Sequence, residues 1–418
     1  MNTDILNLNN FSLGALVEML LLFIGGVIGL SAFVAACIGA FFAFGMWKKS
    51  RARHRKALES VLLEISLPRD NEIKIDAAEQ MFSSFTSLSK VKGMFSWMKI
   101  PESLSFEIVA KPGDIRFYIG VPKKLHDMVE KQVHGSYPDA FIREVDEYDL
   151  FDQGDKVAFA AITLEEENFK PIKTFKELAV DPLSTIASTL GKMQDGEAAA
   201  IQLIITPAPS EWKKTGRAHI SEVKKREANP ETAKYSIDQK ELEGIEQKIS
   251  KPGFSTYIRL VVSSSTKEAA DAHLSNLEGA FTQFSSFNSF DKEKVSFFKG
   301  NFMVDFIYRH MPLMKKGAIL TTEELATIFH FPNKSVENPN IHWLSAKTAP
   351  APANIPTEGL YLGKSFYRGM IKPVHISLDD RRRHMYIIGK TGVGKTEFLK
   401  EMIMQDINNG QGVAVIDP

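Results

Sequence analysis

Between Glu18 and Lys48 the chain carries no charged residue, and MLLLFIGGVIGLSAFVAACIGAFFAFGMW fills positions 19–47. A helix of about 20 apolar residues spans a hydrocarbon core. This run is long enough to cross with some tilt or interfacial overhang. KKSRARHRK follows at once, with Lys48, Lys49, Arg51, Arg53, Arg55 and Lys56, whereas only Asp4 and Glu18 are charged before it. Positive-inside asymmetry therefore puts residues 1–18 outside, 19–47 across the membrane and the C-terminal bulk in the cytoplasm, behind a basic juxtamembrane segment at 48–57. Trp47 stands where an interface anchor belongs. A signal peptide has its positive charge before the apolar run, not after it, and a buried core helix this long and uncharged is rare. Gly25 and Gly29, with Ala32, Ala36 and Ala40, form a small-residue face that permits close helix packing. Cys37 lies inside the span. As the only cysteine it excludes an intrachain disulfide framework and an all-cysteine metal site.

Beyond residue 58 the chain reads as soluble α+β and α/β. The 51 basic residues balance the 51 acidic ones, so net charge points to no polyanion partner, although a local patch can still act alone. A first α/β module is expected over 58–210. It has a short helix at 77–91, two alternating strands joined by the KPGD turn, a helix opened by Pro122 and closed near Gly135, and a strand ended by Pro207. A second, repeat-like module is expected over 251–297. Lys111-Pro112-Gly113 and Lys251-Pro252-Gly253 open matching turn–strand–helix–strand stretches, and Phe141 and Phe281 fall at the same offset. Units of this kind suggest ferredoxin-like α+β modules. Residues 211–250 are polar and of mixed sign, which predicts a solvated helix or projecting arm rather than a nucleic-acid surface. Residues 298–360 hold a helical segment and a Pro-rich connector. Met311 and Met314 are core candidates there, and Thr321 with Glu324 forms a capping-box pattern. His330 and His342 lack the carboxylate or cysteine array of a metal site, so packing or hydrogen bonding is expected of them.

The sharpest signal is GKTGVGKT at Gly389–Thr396, which fits G-x-x-x-x-G-K-[ST]. MYII (385–388) before it reads as a buried strand. EFLKEMIMQDI after it reads as a helix with Leu399, Ile403 and Ile407 on one side. Gly389, Gly392 and Gly394 let the backbone turn tightly and aim amide groups at phosphate oxygens, and the helix start adds partial positive charge. With Thr391, Val393 and Glu397 these residues form the expected ATP-binding set. Lys395 reaches the β- and γ-phosphates, and Thr396 is the candidate Mg²⁺ ligand. VAVIDP begins a further buried strand ending in Asp417, which lacks the Asp-Glu pair of a Walker B strand. Residues 361–418 are thus expected to be the opening part of a P-loop ATPase domain, whose catalytic acid, base and arginine finger are not identified.

RRRHMYIIGKTGVGKTEFLKEMIMQDINNGQGVAVIDP resembles the FtsK–HerA superfamily of motor ATPases, most nearly the TraD/TraG-like coupling proteins of type IV secretion and their HerA-like relatives. Arg383 and His384 before the first strand, Asp417-Pro418 after the second, LTTEELATIFHFPN, IHWLSAKTAPAPANIP and GLYLGKS carry the resemblance, which is strongest over 298–418. It implies a RecA-like motor domain, a homo-oligomeric (hexameric) ring, DNA or nucleoprotein as cargo, other secretion-system components as partners, and a single-pass protein of a prokaryotic inner membrane. Two other readings stay open: a secretion ATPase that exports protein without touching DNA, and a membrane-tethered scaffold with a vestigial phosphate loop.

Overall fold

The computed structural model describes residues 13–88, 99–151, 156–228, 239–293, 299–312, 317–344, 350–367 and 370–416. Its first element, α1 (Leu13–Leu58), is 46 residues long. It is the one helix, among the described residues, long and apolar enough to cross a membrane. None of its apolar window is covered by the rest of the chain, and Leu22 is 76% exposed. A helix that is apolar on every side needs an apolar surrounding, so the soluble core helix is excluded. At about 1.5 Å per residue α1 runs for about 70 Å, more than twice the roughly 30 Å hydrocarbon thickness. The basic segment at 48–57 is thus a continuation of the same helix. It docks on the folded body through Arg53–Asp305 and Lys56–Glu102 ion pairs, both 2.8 Å.

That body is a nine-stranded sheet assembled from two halves. The first half comprises β1 (Ser60–Ser66), α2 (Asp76–Ser84), β2 (Leu104–Lys111), β3 (Asp114–Pro122), α3 (His126–Ser136) and β4 (Phe141–Val145). The second comprises β5 (Lys156–Leu164), α4 (Pro182–Leu190), β6 (Ala198–Pro207), the inserted α5 (Glu211–Ala228) and α6 (Gln239–Ser250), β7 (Gly253–Ser264), α7 (Lys267–Ala280) and β8 (Phe290–Glu293). The strand order is β4-β1-β3-β2-β6-β7-β5-β8. Each half therefore orders its own strands fourth, first, third, second. The halves meet through their second strands, antiparallel from Leu104↔Ile205 to Ala110↔Ala199. Strands β5 and β6, grouped with the first module in the sequence reading, sit with β7 and β8. Three elements complete the body: α8 (Lys299–Ile307), β9 (Ala318–Thr321), which pairs with β7, and α9 (Thr322–Ile328).

Both Lys-Pro-Gly triplets lead into the third strand of their half, and Gly113 takes φ +69° in the tight β2–β3 turn. The Phe141/Phe281 offset has no such equivalence. Phe141 opens β4, whereas Phe281 lies in a 3-10 turn after α7, which is 14 residues long against 11 for α3.

Strand alternation gives the sheet two buried faces. One packs Phe106, Ile108, Ile201, Leu203, Ile258 and Leu260 against α2, α4, α7 and α9. The other packs Val109, Tyr118, Tyr257 and Val261 against Phe302 and Phe306 of α8. A polar row crosses this second face, because Glu107 is opposite Gln202 and Gln202 opposite Arg259. Gln202 Nε2 donates to the Phe306 carbonyl (3.1 Å), Arg259 to the Asp305 carbonyl (3.0 Å), and Arg309 Nε to Glu107 (2.8 Å). Asp305 in turn pairs with Arg53 of α1, so an ion pair and hydrogen bonds link the long helix to the middle of the sheet.

One further expectation changes. Among the described residues, 211–228 and 239–250 are packed rather than projecting: Trp212, Ile220, Leu242, Ile245 and Ile249 bury against Phe169. Helix α6 carries a short stripe of its own, Leu242, Ile245 and Ile249, whereas α5 offers only widely spaced Trp212 and Ile220 and is buried by packing on α6 and Phe169. The capping box forms at Thr321 and Glu324 as expected, and Glu324 also holds the buried Lys248 at 3.0 Å. Met314, residues 345–349 of the connector, and Asp417 lie outside the described residues.

Candidate functional site

Residues 360–367 and 370–416 form a small unit of their own. Strands β10 (Leu360–Tyr367) and β11 (Met370–Ile376) make a two-stranded antiparallel sheet, followed by the short α10 (Leu378–Arg381) and by α11 (Lys395–Asn408). Two clamps fix α11. Gln405 exchanges a pair of hydrogen bonds with the backbone of Tyr361, 3.0 Å from its N–H and 2.9 Å to its carbonyl. The Asp406 carboxylate accepts both terminal nitrogens of Arg381. That paired, charge-assisted contact holds the Asp406 carboxyl below and the Arg381 guanidinium above their ordinary values. The buried side of α11 is thus Met402 and Asp406, not the Leu399–Ile403–Ile407 side; Leu399 and Ile407 are 43% and 54% exposed. Hairpin β10–β11 supplied a partner that the helix's own periodicity does not reveal.

The phosphate-loop residues lie together at the start of α11. Gly392 and Gly394 take φ +86° and +91°, the left-handed region open to glycine. Gly394 is the N-cap, so Lys395, Thr396 and Glu397 are the first three helical residues, and no side chain caps them. Their amide groups have no partner within the helix. A Cβ on Gly389 would stand 2.8 Å from Val393 Cγ2 and 3.1 Å from Lys395 Cγ, so a larger residue there would displace the side chains that close the loop. Lys395 Nζ folds back over the loop and donates to the carbonyls of Gly389 (2.5 Å) and Lys390 (2.9 Å). Thr391, Gly392, Val393, Gly394 and Thr396 are exposed to solvent. Glu397, also exposed, pairs with Lys400 at 2.7 Å.

The flanking segments differ from expectation. Residues 385–388 form no strand and pair with none among the described residues, and Tyr386 and Ile388 are 88% and 81% exposed. Residues 413–416 are unpaired as well, with Ile416 93% exposed. A central parallel strand draws its burial from neighbours and covering helices on both faces, and the described residues offer these segments none. His384, just before MYII, takes φ +73°. The Arg381–Asp406 and Tyr361–Gln405 clamps went unforeseen, since acid and base stand 25 positions apart with no local motif to join them.

A family model described as Domain of unknown function (DUF8128) matches residues 48–344. The match covers the basic end of α1 and the nine-stranded body, and it stops before the phosphate loop. No curated protein matches the chain.

Proposed function

Because this chain belongs to the DUF8128 family, whose description assigns no activity, its function is argued from its own residues, and we propose a membrane-anchored ATP-binding protein related to the DNA-translocating motors. The observation that carries this reading is the loop at Gly389–Thr396: two left-handed glycines, free helix-start amides and a lysine bent over the loop. These groups fit the phosphate end of a nucleotide, with amides and Lys395 holding phosphate oxygens and the exposed Thr396 hydroxyl available to Mg²⁺. Bound Mg²⁺ would neutralise phosphate charge. No residue of this chain is assigned as Walker B acid, base or arginine finger.

The anchor reading rests on α1: an exposed apolar helix with its basic residues on the C-terminal side supports a cytoplasmic position for the sheet. The strand order fourth-first-third-second in each half supports two ferredoxin-like units joined through their second strands. DNA as cargo and a hexameric ring come from the resemblance alone. The scaffold reading gains one specific support, since the family match ends at residue 344 and leaves the loop outside.

Titration of the purified chain with a fluorescent ATP analogue and Mg²⁺ tests the reading. Binding that falls at least about tenfold in Lys395→Ala is expected. Equal binding by both proteins, or none by either, defeats it. Turnover stimulated by DNA favours the motor, turnover indifferent to DNA the export ATPase, and binding without turnover the scaffold.

A further inference from the structure

Where α1 leaves the apolar run and meets the sheet, it closes a cavity of about 260 Å³. One wall is the helix itself, through Lys49, Arg53 and Lys56. The floor is the end of the sheet, where Ser105 of β2 is opposite Gly120 of β3, and Thr206 of β6 is opposite Ser255 of β7. Three hydroxyls thus line the floor. Ser105 is 2% exposed, and its hydroxyl has no hydrogen-bond partner. Gly120 makes room for it, since a Cβ there would stand 2.6 Å from Arg309 Cδ and would also overlap the Ser105 hydroxyl. Pro101, Pro122 and Met311 give the cavity an apolar rim.

The charges do not cancel. Arg53 pairs with Asp305, Lys56 with Glu102, and Arg309 with Glu107 and Glu147. Glu102 is the carboxylate lining the cavity, and it is shared with Lys124. Lys49, half-buried, has no carboxylate partner among the described residues. A surplus cation, two guanidinium groups and the unpartnered Ser105 hydroxyl facing one space make a site for an anion that accepts several hydrogen bonds. Position selects the anion. Lys49 and Lys56 lie two and nine residues past Trp47, about 3 and 13 Å along the helix. The polar layer of one leaflet is about 6 Å thick or slightly more. Lys49 therefore stands at headgroup level, and the apolar rim matches a glycerol backbone better than it matches bare phosphate.

We infer that this cavity binds the phosphate headgroup of an anionic phospholipid from the cytoplasmic leaflet. The inference rests on the reading of α1 as a membrane anchor, and the two are separated by testing lipid binding in detergent with short-chain lipids. The intact chain in a neutral detergent is titrated with dioctanoyl phosphatidylglycerol, dioctanoyl phosphatidylcholine and inorganic phosphate, and bound species are counted by native mass spectrometry. One phosphatidylglycerol is expected to bind, with Lys49→Gln weakening it at least about tenfold and Ser105→Ala a few-fold. Arg55→Gln, an equal charge change on the exposed side of the helix, is expected to stay within about twofold. Equal binding of phosphatidylcholine, equal loss in Arg55→Gln and Lys49→Gln, or phosphate alone binding as well as the lipid each overturns the proposal. Alkaline extraction of membranes containing the chain tests the anchor independently: release into the soluble fraction defeats the anchor, whatever the detergent titration gives.

Discussion

Glu107 is fully buried in the middle of the sheet, and its charge is tolerable only because of what meets it. Arg309 contacts both of its oxygens at 2.8 and 3.2 Å, Tyr148 donates at 2.8 Å and Gln202 at 3.0 Å. Burial, then the Glu107 charge, pushes the Tyr148 hydroxyl well above its ordinary value, so it remains a donor. Arg309 holds φ +52°, a left-handed position a non-glycine residue keeps only when its surroundings fix it. Removing the cation strands the carboxylate, so Arg309→Met is expected to cost about 3–5 kcal/mol in chemical denaturation. Adding Glu107→Gln should recover part of that loss; no recovery would show that packing, not charge, sets the cost. Asp181 offers a pH test. Burial pushes its carboxyl up, but the hydrogen bond and charge of His330, with Leu183 N–H and Ser335, outweigh burial and hold it below 3.8. A depressed carboxyl stabilises the fold above its unfolded pKa and loses that contribution as pH falls through the folded value. Stability should therefore drop below about pH 4, and Asp181→Asn should flatten that part of the profile when denaturation midpoints are compared at pH 6 and pH 3.

At the scale of elements, the most legible parts are those whose cause is local. The apolar run specified α1, the Lys-Pro-Gly-Asp turn specified the β2–β3 hairpin, and Thr321 with Glu324 specified the start of α9. What escaped depends on partners far along the chain. Arg309 finds Glu107 across 202 positions, and Trp212 and Ile220 of α5 are covered only by α6 and Phe169. The loop at Gly389–Thr396 was legible because glycine spacing and lysine position are local, whereas the burial of 385–388 required neighbours the segment does not have here. Helix α11 shows how a legible element still depends on an illegible contact, because its orientation is set by Arg381 and Tyr361. Asp406→Asn removes the charge from the stronger clamp and is expected to raise hydrogen-exchange rates of α11 amides by about tenfold, roughly 1.4 kcal/mol. Unchanged exchange would mean that Gln405 and Met402 hold the helix unaided.

For the whole molecule, the arrangement of edges decides what can fold alone. The outer strands are guarded: β8 is four residues long and reads Phe-Asp-Lys-Glu, and β4 carries exposed Arg143 and Glu144. Short, charged edges resist further pairing. The inner strands have no such guard. In β2 every residue from Leu104 to Ala110 is buried, and in β6 every residue from Ala198 to Thr206. Separated halves would each present a long apolar edge, the first with Leu104, Phe106 and Ile108, the second with Ile201, Leu203 and Ile205. The helical cover also crosses the seam, since Phe329, just after α9, packs edge-on to Phe106 at 5.2 Å. Repetition of the strand order therefore does not make two independent domains. Residues 48–150 and 156–344 expressed separately are expected to aggregate or to pair through the exposed seam, while 48–344 as one chain melts in a single transition. Size-exclusion chromatography and thermal unfolding decide the matter. Two monomeric halves, each unfolding cooperatively, would show that the seam is an ordinary domain contact. Recovery of one soluble complex when both pieces are made together would show that β2 and β6 are the joint on which the body is built.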